Sequence, residues 1–233
     1  MLTFIRPEVS YGRETPAAAL HRDLGPRFQC PNKWYCMKID GLEWMDWLHK
    51  MRAERSAEML RTGTAVADAP RRQPQHRPLL YLETSVFGFC FDERPRNALR
   101  REAAVALLGQ VALGLFDAMT SALTFEELTR AREPLRTKLM AAVGDVRLLK
   151  TDKQEVERLA AAYVRDSVIP PAFADDAGHV AYATIGRADL LVSLNLRHLA
   201  NEQAERRIGA VNLREGYQML RIRTPEEVLR YED

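Results

Sequence analysis

Apolar residues recur in two rhythms along this chain, and the change between them falls near residue 79. Between residues 37 and 63, Trp44, Leu48, Met51 and Met59 recur at near-helical spacing, with Asp46, Lys50, Glu54 and Glu58 on other faces. This pattern predicts an amphipathic helix of about six turns. Residues 1–36 are rich in Arg, Pro and Gly and show no period, so loose structure is expected there. Residues 64–78 (TAVADAPRRQPQHRP) are polar and proline-rich, which reads as a linker.

From residue 79 onward, short apolar runs alternate with helical patterns. Residues 79–82 form a short run suited to a buried strand, and residues 97–113 predict a helix with Leu107, Leu108 and Val111 inward. A second strand is expected at 116–122, a helix from about residue 125, and a third strand at 146–149. Thr151 and Gln154 match a capping box opening a helix to about residue 164. Pro170-Pro171 breaks the chain before a helix expected over 174–185. Further strands are expected at 190–194 and 217–222, and Thr224-Pro225-Glu226-Glu227 starts a last helix with proline at its first position. Strand–helix alternation of this kind predicts an α/β fold, a mostly parallel sheet covered on both faces in three layers. The expected organisation is therefore 1–36, a helix at 37–63, a linker at 64–78 and one domain at 79–233.

Composition narrows this little. Of 233 residues, 46% are apolar and 28% charged, an ordinary globular balance. No apolar run approaches the roughly 18 residues of a membrane span. Arg6, Glu8, Arg13 and Glu14 interrupt any secretory signal. Cys30, Cys36 and Cys90 are odd in number and lack zinc-ligand spacing, so reduced thiols in a cytoplasm are expected. Residues 1–78 carry 13 Lys and Arg against 9 Asp and Glu, leaving 21 against 23 for residues 79–233. The basic excess thus lies outside the α/β part. An RNA bound there would depend on local patches or on a partner.

Ligands of open parallel sheets bind beyond the carboxyl ends of the strands, and that rule sorts the acidic residues. Glu83 closes the first strand, Glu127 is expected in the first turn of the helix after the second, Asp176 lies in the first turn of the helix after Pro171, and Asn195 closes a later strand. Four such groups at one edge suit a hard cation, magnesium or manganese, rather than zinc. Each also has a plainer reading. Thr124 and Glu127 fit a capping box, Asp175 and Asp176 suit any helix N-terminus, and Asn195 suits a turn. Glu83 is the hardest to explain away, because a charge ending a buried strand needs a partner.

These segments also resemble a known family. YLETSVFG resembles the opening strand of PIN domains, TSALTFEEL their second acidic segment, DAGHVAYAT their Asp-x-x-His-x-Ala helix, and DLLVSLNLRHL the strand leading to their fourth polar position. The resemblance implies a metal-dependent endoribonuclease of the toxin–antitoxin (VapC-like) type. It implies Glu83, Glu127, Asp176 and Asn195 as catalytic and metal-holding residues, with Mg or Mn as cofactor. Glu127 is selected over Glu126, and Asp176 over Asp175. Glu83 and Asn195 stand where the family often has Asp; the amide implies one metal rather than two, or weak activity. Ser85 is expected to support Glu83 by hydrogen bonding, and His179 and His198 to be structural or supporting.

MKIDGLEWMDWLHKMRAERSAEML resembles short antitoxins that lay one amphipathic helix over such toxins. An antitoxin fused in cis at 37–63, or a separate one, is therefore an expected partner, with Arg52 or Arg55 entering the acidic pocket. RNA substrate and a homodimer complete the expected partners. The competing expectation is a weak or inactive PIN-like module that binds RNA or protein.

Overall fold

A computed structural model describes residues 77–144, 146–197 and 199–230, together with Lys50, Ala53 and Ala57. The core strand β1 (Leu79–Leu82) and its neighbour β4 (Leu190–Val192) are almost wholly buried, as continuous apolar runs in a two-sided sheet should be. Around them, β2 (Asp117–Thr120), β3 (Arg147–Leu148) and β5 (Arg221–Arg223) complete a five-stranded sheet in the order β3-β2-β1-β4-β5. Every pairing is parallel. The order reverses beside β1, the position where such sheets open a crevice beyond their carboxyl ends.

Eight α-helices after residue 77 fill the outer layers. They are α1 (Thr84–Phe89), α2 (Ala98–Leu113), α3 (Ala122–Thr129), α4 (Leu135–Val143), α5 (Lys153–Arg165), α6 (Ala174–Ile185), α7 (Glu202–Arg214) and α8 (Pro225–Leu229). The α5–α6–α7 face buries Tyr81, Met119 and Leu191 of the sheet against Leu159, Tyr163, Val180 and Ile208. Helix α2 packs with α1 and α8, while α3 contacts both α1 and α6. The architecture is three-layer α/β/α. Among the described residues, no helix is long and apolar enough to cross a membrane.

Local chemistry explains most element ends. Helix α2 stops at Gly114, whose φ of 76° is the left-handed conformation favoured by glycine. Thr224 and Glu227 form the expected capping box of α8, with Pro225 at its start. Three expectations shift. The cap of α5 is Asp152, accepting from Gln154 N, rather than Thr151. Helix α3 begins at Ala122 with Ser121 as its cap, so Glu127 lies in the second turn and not in a capping box with Thr124. Strand β5 is 221–223, several residues later than the apolar pattern suggested. Lys50, Ala53 and Ala57 are helical and exposed. The rest of the helix expected over 37–63, the expected linker to residue 76, residues 1–36, Arg52, Arg55 and His198 lie outside the described residues.

Candidate metal centre

Glu83 reaches the crevice because β1 runs straight into α1. Its backbone N–H bonds Val192 O at 3.2 Å, extending the β1–β4 ladder by one step. Its carboxylate then caps α1, accepting from Ser85 N at 3.1 Å, from Ser85 Oγ, and from Ser193 Oγ at 3.0 Å. Ser85 supports Glu83 as expected, and it also accepts from Leu194 N at 2.9 Å, joining the two strand ends. Glu83 is 6% exposed. Among the described residues, no lysine or arginine forms an ion pair with it.

Glu127 arrives from α3 and His179 from α6. Their closest atoms, Glu127 Oε2 and His179 Nε2, are 3.0 Å apart, and Thr84 Oγ1 also donates to Glu127 Oε2. The helices approach closely because α6 carries Gly178, where a Cβ would lie 2.8 Å from Leu123 Cδ2 of α3. On its other side, His179 Nδ1 is 2.9 Å from the Tyr81 hydroxyl, which lies 2.6 Å from Ser121 Oγ. Ser121 thus makes no side-chain cap bond for α3, although it holds the cap position. Forgoing such a bond costs about 1 kcal/mol, so the hydroxyl's contact with Tyr81 is maintained against local helix preference.

Glu83, Glu127 and His179 each offer one donor atom within 4.8 Å of the other two, a group able to hold a metal ion. Asp176 and Asn195 form a neighbouring pair, with Asn195 Nδ2 donating to Asp176 Oδ2 at 2.8 Å. This bond ties the first turn of α6 to the loop after β4. All four sequence-selected residues therefore gather at the carboxyl edge of β1 and β4. They are divided, however, into the Glu83 and Glu127 carboxylates gathered about His179 and a separate pair of Asp176 and Asn195; Glu83 is buried and the other three are half-buried.

The electrostatics follow from this crowding. Burial alone raises the Glu127 pKa, but hydrogen bonding and charge from His179, with help from Thr84 and Arg130, bring it below its ordinary value. Burial alone lowers the pKa of His179; hydrogen bonding to Glu127 and the charges of Glu83, Glu127 and Asp176 raise it overall. One imidazole thus faces three carboxyl groups. Carboxylates crowded in this way are relieved by taking up a proton or by a bound cation.

The sequence reading assigned His179 only a supporting place and did not single out Tyr81, Ser121 or Ser193. Two signals were available. Asp176 and His179 are three apart on one helix, hence on one face, and Tyr81 and Glu83 are two apart across the end of a strand, hence on one side. No family model matches the chain, and neither a curated protein nor a solved structure matches it. The resemblance to PIN domains therefore rests on the four segments and the edge at which they meet.

Proposed function

We propose that this chain is a metal-dependent endoribonuclease of the PIN, toxin–antitoxin type. The observation that carries the reading is the Glu83, Glu127 and His179 group, two carboxyl groups and an imidazole, at the sheet's topological switch point. Glu83 and Glu127 would hold a divalent ion, Mg or Mn, with Asp176 and Asn195 lining its outer side. Such an ion supplies positive charge to a phosphodiester under attack and activates water. In the overall hydrolysis, the water oxygen joins phosphorus, the bond to the departing sugar oxygen breaks, and that oxygen takes a proton. Thr84, Ser85 and Ser193 orient the carboxylates by hydrogen bonding, which is how weakly placed ligands are fixed. In this reading the 37–63 helix is the antitoxin element, restraining the nuclease in cis, and the protein works in the cytoplasm, as a homodimer.

A second reading has its own observations. Both oxygens of Glu83 already accept hydrogen bonds, and position 195 is an amide. A PIN-like module that binds RNA or a protein partner without cutting fits those two facts.

The deciding experiment incubates the full chain, and a Trp44→Ala, Leu48→Ala chain, with structured RNAs. Magnesium, manganese and a chelator form the three arms. The enzyme reading expects cleavage that the chelator abolishes, and loss of most of it in Asp176→Asn with the fold intact. RNA retention without cleavage in every metal arm would establish the second reading. An Asp176→Asn chain that cuts as fast as the wild type would remove Asp176 from the site.

A further inference from the structure

The three donors of the buried group are unequal, and the unequal one is nitrogen. His179 is 1% exposed, so its ring cannot swing out to water. Its Nε2 lies 3.0 Å from Glu127 Oε2. Two neighbouring ligands of one octahedral ion, each bonded at about 2.1 Å, are themselves about 3.0 Å apart. The observed separation therefore suits two ligands of a single ion as well as it suits a hydrogen bond.

The other side of the ring is prepared for that exchange. Nδ1 meets the Tyr81 hydroxyl at 2.9 Å, and the phenol meets Ser121 Oγ at 2.6 Å. Tyr81 and Ser121 are both 0% exposed. Each hydroxyl can donate or accept and rotates to suit its neighbour. A two-hydroxyl chain thus keeps Nδ1 partnered whether that nitrogen carries a proton or not. With Nδ1 protonated and donating to the phenol oxygen, which in turn donates to Ser121, the Nε2 lone pair is free to face Glu83 and Glu127. Ligating histidines are held in this way, by a hydrogen bond on the nitrogen remote from the metal.

We propose that His179 Nε2 is the third protein ligand of the metal, that Tyr81 is the residue positioning it, and that this nitrogen makes the site one for a first-row transition-metal dication in preference to magnesium. Imidazole suits transition metals, whereas magnesium takes oxygen ligands and keeps its water. The inference rests on the metal site of the preceding reading and not on its RNA chemistry.

The test uses the full chain stripped with chelator and reloaded with manganese(II) as the probe. Pulsed electron paramagnetic resonance of the loaded wild type reads nitrogen-14 coupling from a coordinated imidazole and requires no variant to fold. Titration with manganese and magnesium gives the two affinities. The expected results are a nitrogen coupling lost in His179→Gln, and manganese affinity at least about tenfold above magnesium. Tyr81→Phe should retain the coupling and weaken manganese binding by about 10- to 100-fold, the usual effect of removing a ligand's hydrogen-bond partner. Its magnesium affinity should change less.

Manganese bound without nitrogen coupling, or coupling that persists in His179→Gln, overturns the ligand assignment. Equal affinities for the two metals overturn the stated preference. An unchanged manganese affinity in Tyr81→Phe overturns the positioning role. RNA cleavage by a manganese form lacking nitrogen coupling would sink this inference and leave the nuclease standing. Nitrogen-coordinated manganese in a chain that cuts no RNA would do the reverse. A chain that binds neither metal loses both.

Discussion

Two buried polar networks lie on the same side of the sheet, and α6 contributes to both. One joins Tyr163, Thr184 and Asn212: the Tyr163 hydroxyl donates to Asn212 Oδ1 at 2.5 Å, and Asn212 Nδ2 reaches Thr184 Oγ1 and Gln218 O, each at 3.2 Å. It contains no ionisable acid or base that charges near neutral pH, and its donors and acceptors satisfy one another. The other joins Ser121, Tyr81, His179, Glu127 and Thr84, with Glu83 beside it. It gathers two carboxyl groups about one imidazole. A neutral closed network contributes to the fold alone. A network crowded with carboxyl groups can be completed by a proton or by a bound cation, and that difference is what the proposed metal site rests on.

That contrast can be broken at either end. The largest effect is expected from Glu127→Gln, which removes a donor charge while keeping shape. RNA cleavage should fall by more than the ~100-fold at the upper end of losses for supporting residues, with the melting temperature little changed. A variant with full activity would place Glu127 among the structural residues. Asn212→Ala should do the opposite. It leaves the Tyr163 and Thr184 hydroxyls short of a partner in the core, costing about 3 kcal/mol of stability. Manganese affinity below the melting transition should stay at the wild-type value; a matching loss would show that the two networks act as one.

Gly186→Ala should fall between these cases. A Cβ there would lie 2.6 Å from Met119 Cε, 2.8 Å from Leu149 Cδ2 and 3.0 Å from Tyr182 O. Overpacking of that kind costs about 2 kcal/mol, at the end of α6 remote from His179. Chemical denaturation should register the loss and metal titration should not.

The smallest expected effect is a pH dependence present in one network and absent from the other. In the metal-free chain the His179 pKa is raised, so its contribution to stability is complete below the unfolded value of about 6.5 and is lost as pH climbs through the folded value. The Glu127 pKa is lowered, so its contribution is present above about 4.3 and is lost as pH falls through its folded value. Melting temperatures of chelated protein should therefore show a broad maximum between those limits, flattened in His179→Gln and retained in Asn212→Ala. Apparent metal affinity should rise with pH over the range in which Nε2 gives up its proton. Affinity that is flat across that range would separate the imidazole from the ion.

Legibility from sequence varied with the clarity of local signals. Strand β1 and helix α6 were readable to the residue, because an apolar run and a proline pair mark their limits. Helices α1, α4 and α7 were not anticipated. The first has six residues, including Val86 and Gly88, and its cap is a glutamate rather than one of the favoured cap residues. In α7 the buried positions Ala204, Ile208 and Val211 recur at helical spacing, but Glu202, Glu205, Arg206, Arg207 and Arg214 crowd the stripe. The edge where the site forms followed from the parallel-sheet rule. The partition of its members did not, because it depends on how closely α6 approaches α3. Nothing in the spacing of acidic residues announces that His179 joins Glu83 and Glu127 while Asp176 pairs with Asn195.

The sheet's outermost strands have a consequence for self-association. Strand β3 is two residues long and β5 three, and each carries arginine: Arg147 in the first, Arg221 and Arg223 in the second. So short a margin offers little backbone for another chain to zip onto. A continuous intermolecular sheet is thereby disfavoured. Among the described residues, apolar surface is presented to water away from those edges, by Leu99 at 62% and Leu213 at 59% exposure on helices and Met219 at 60% in the segment before β5.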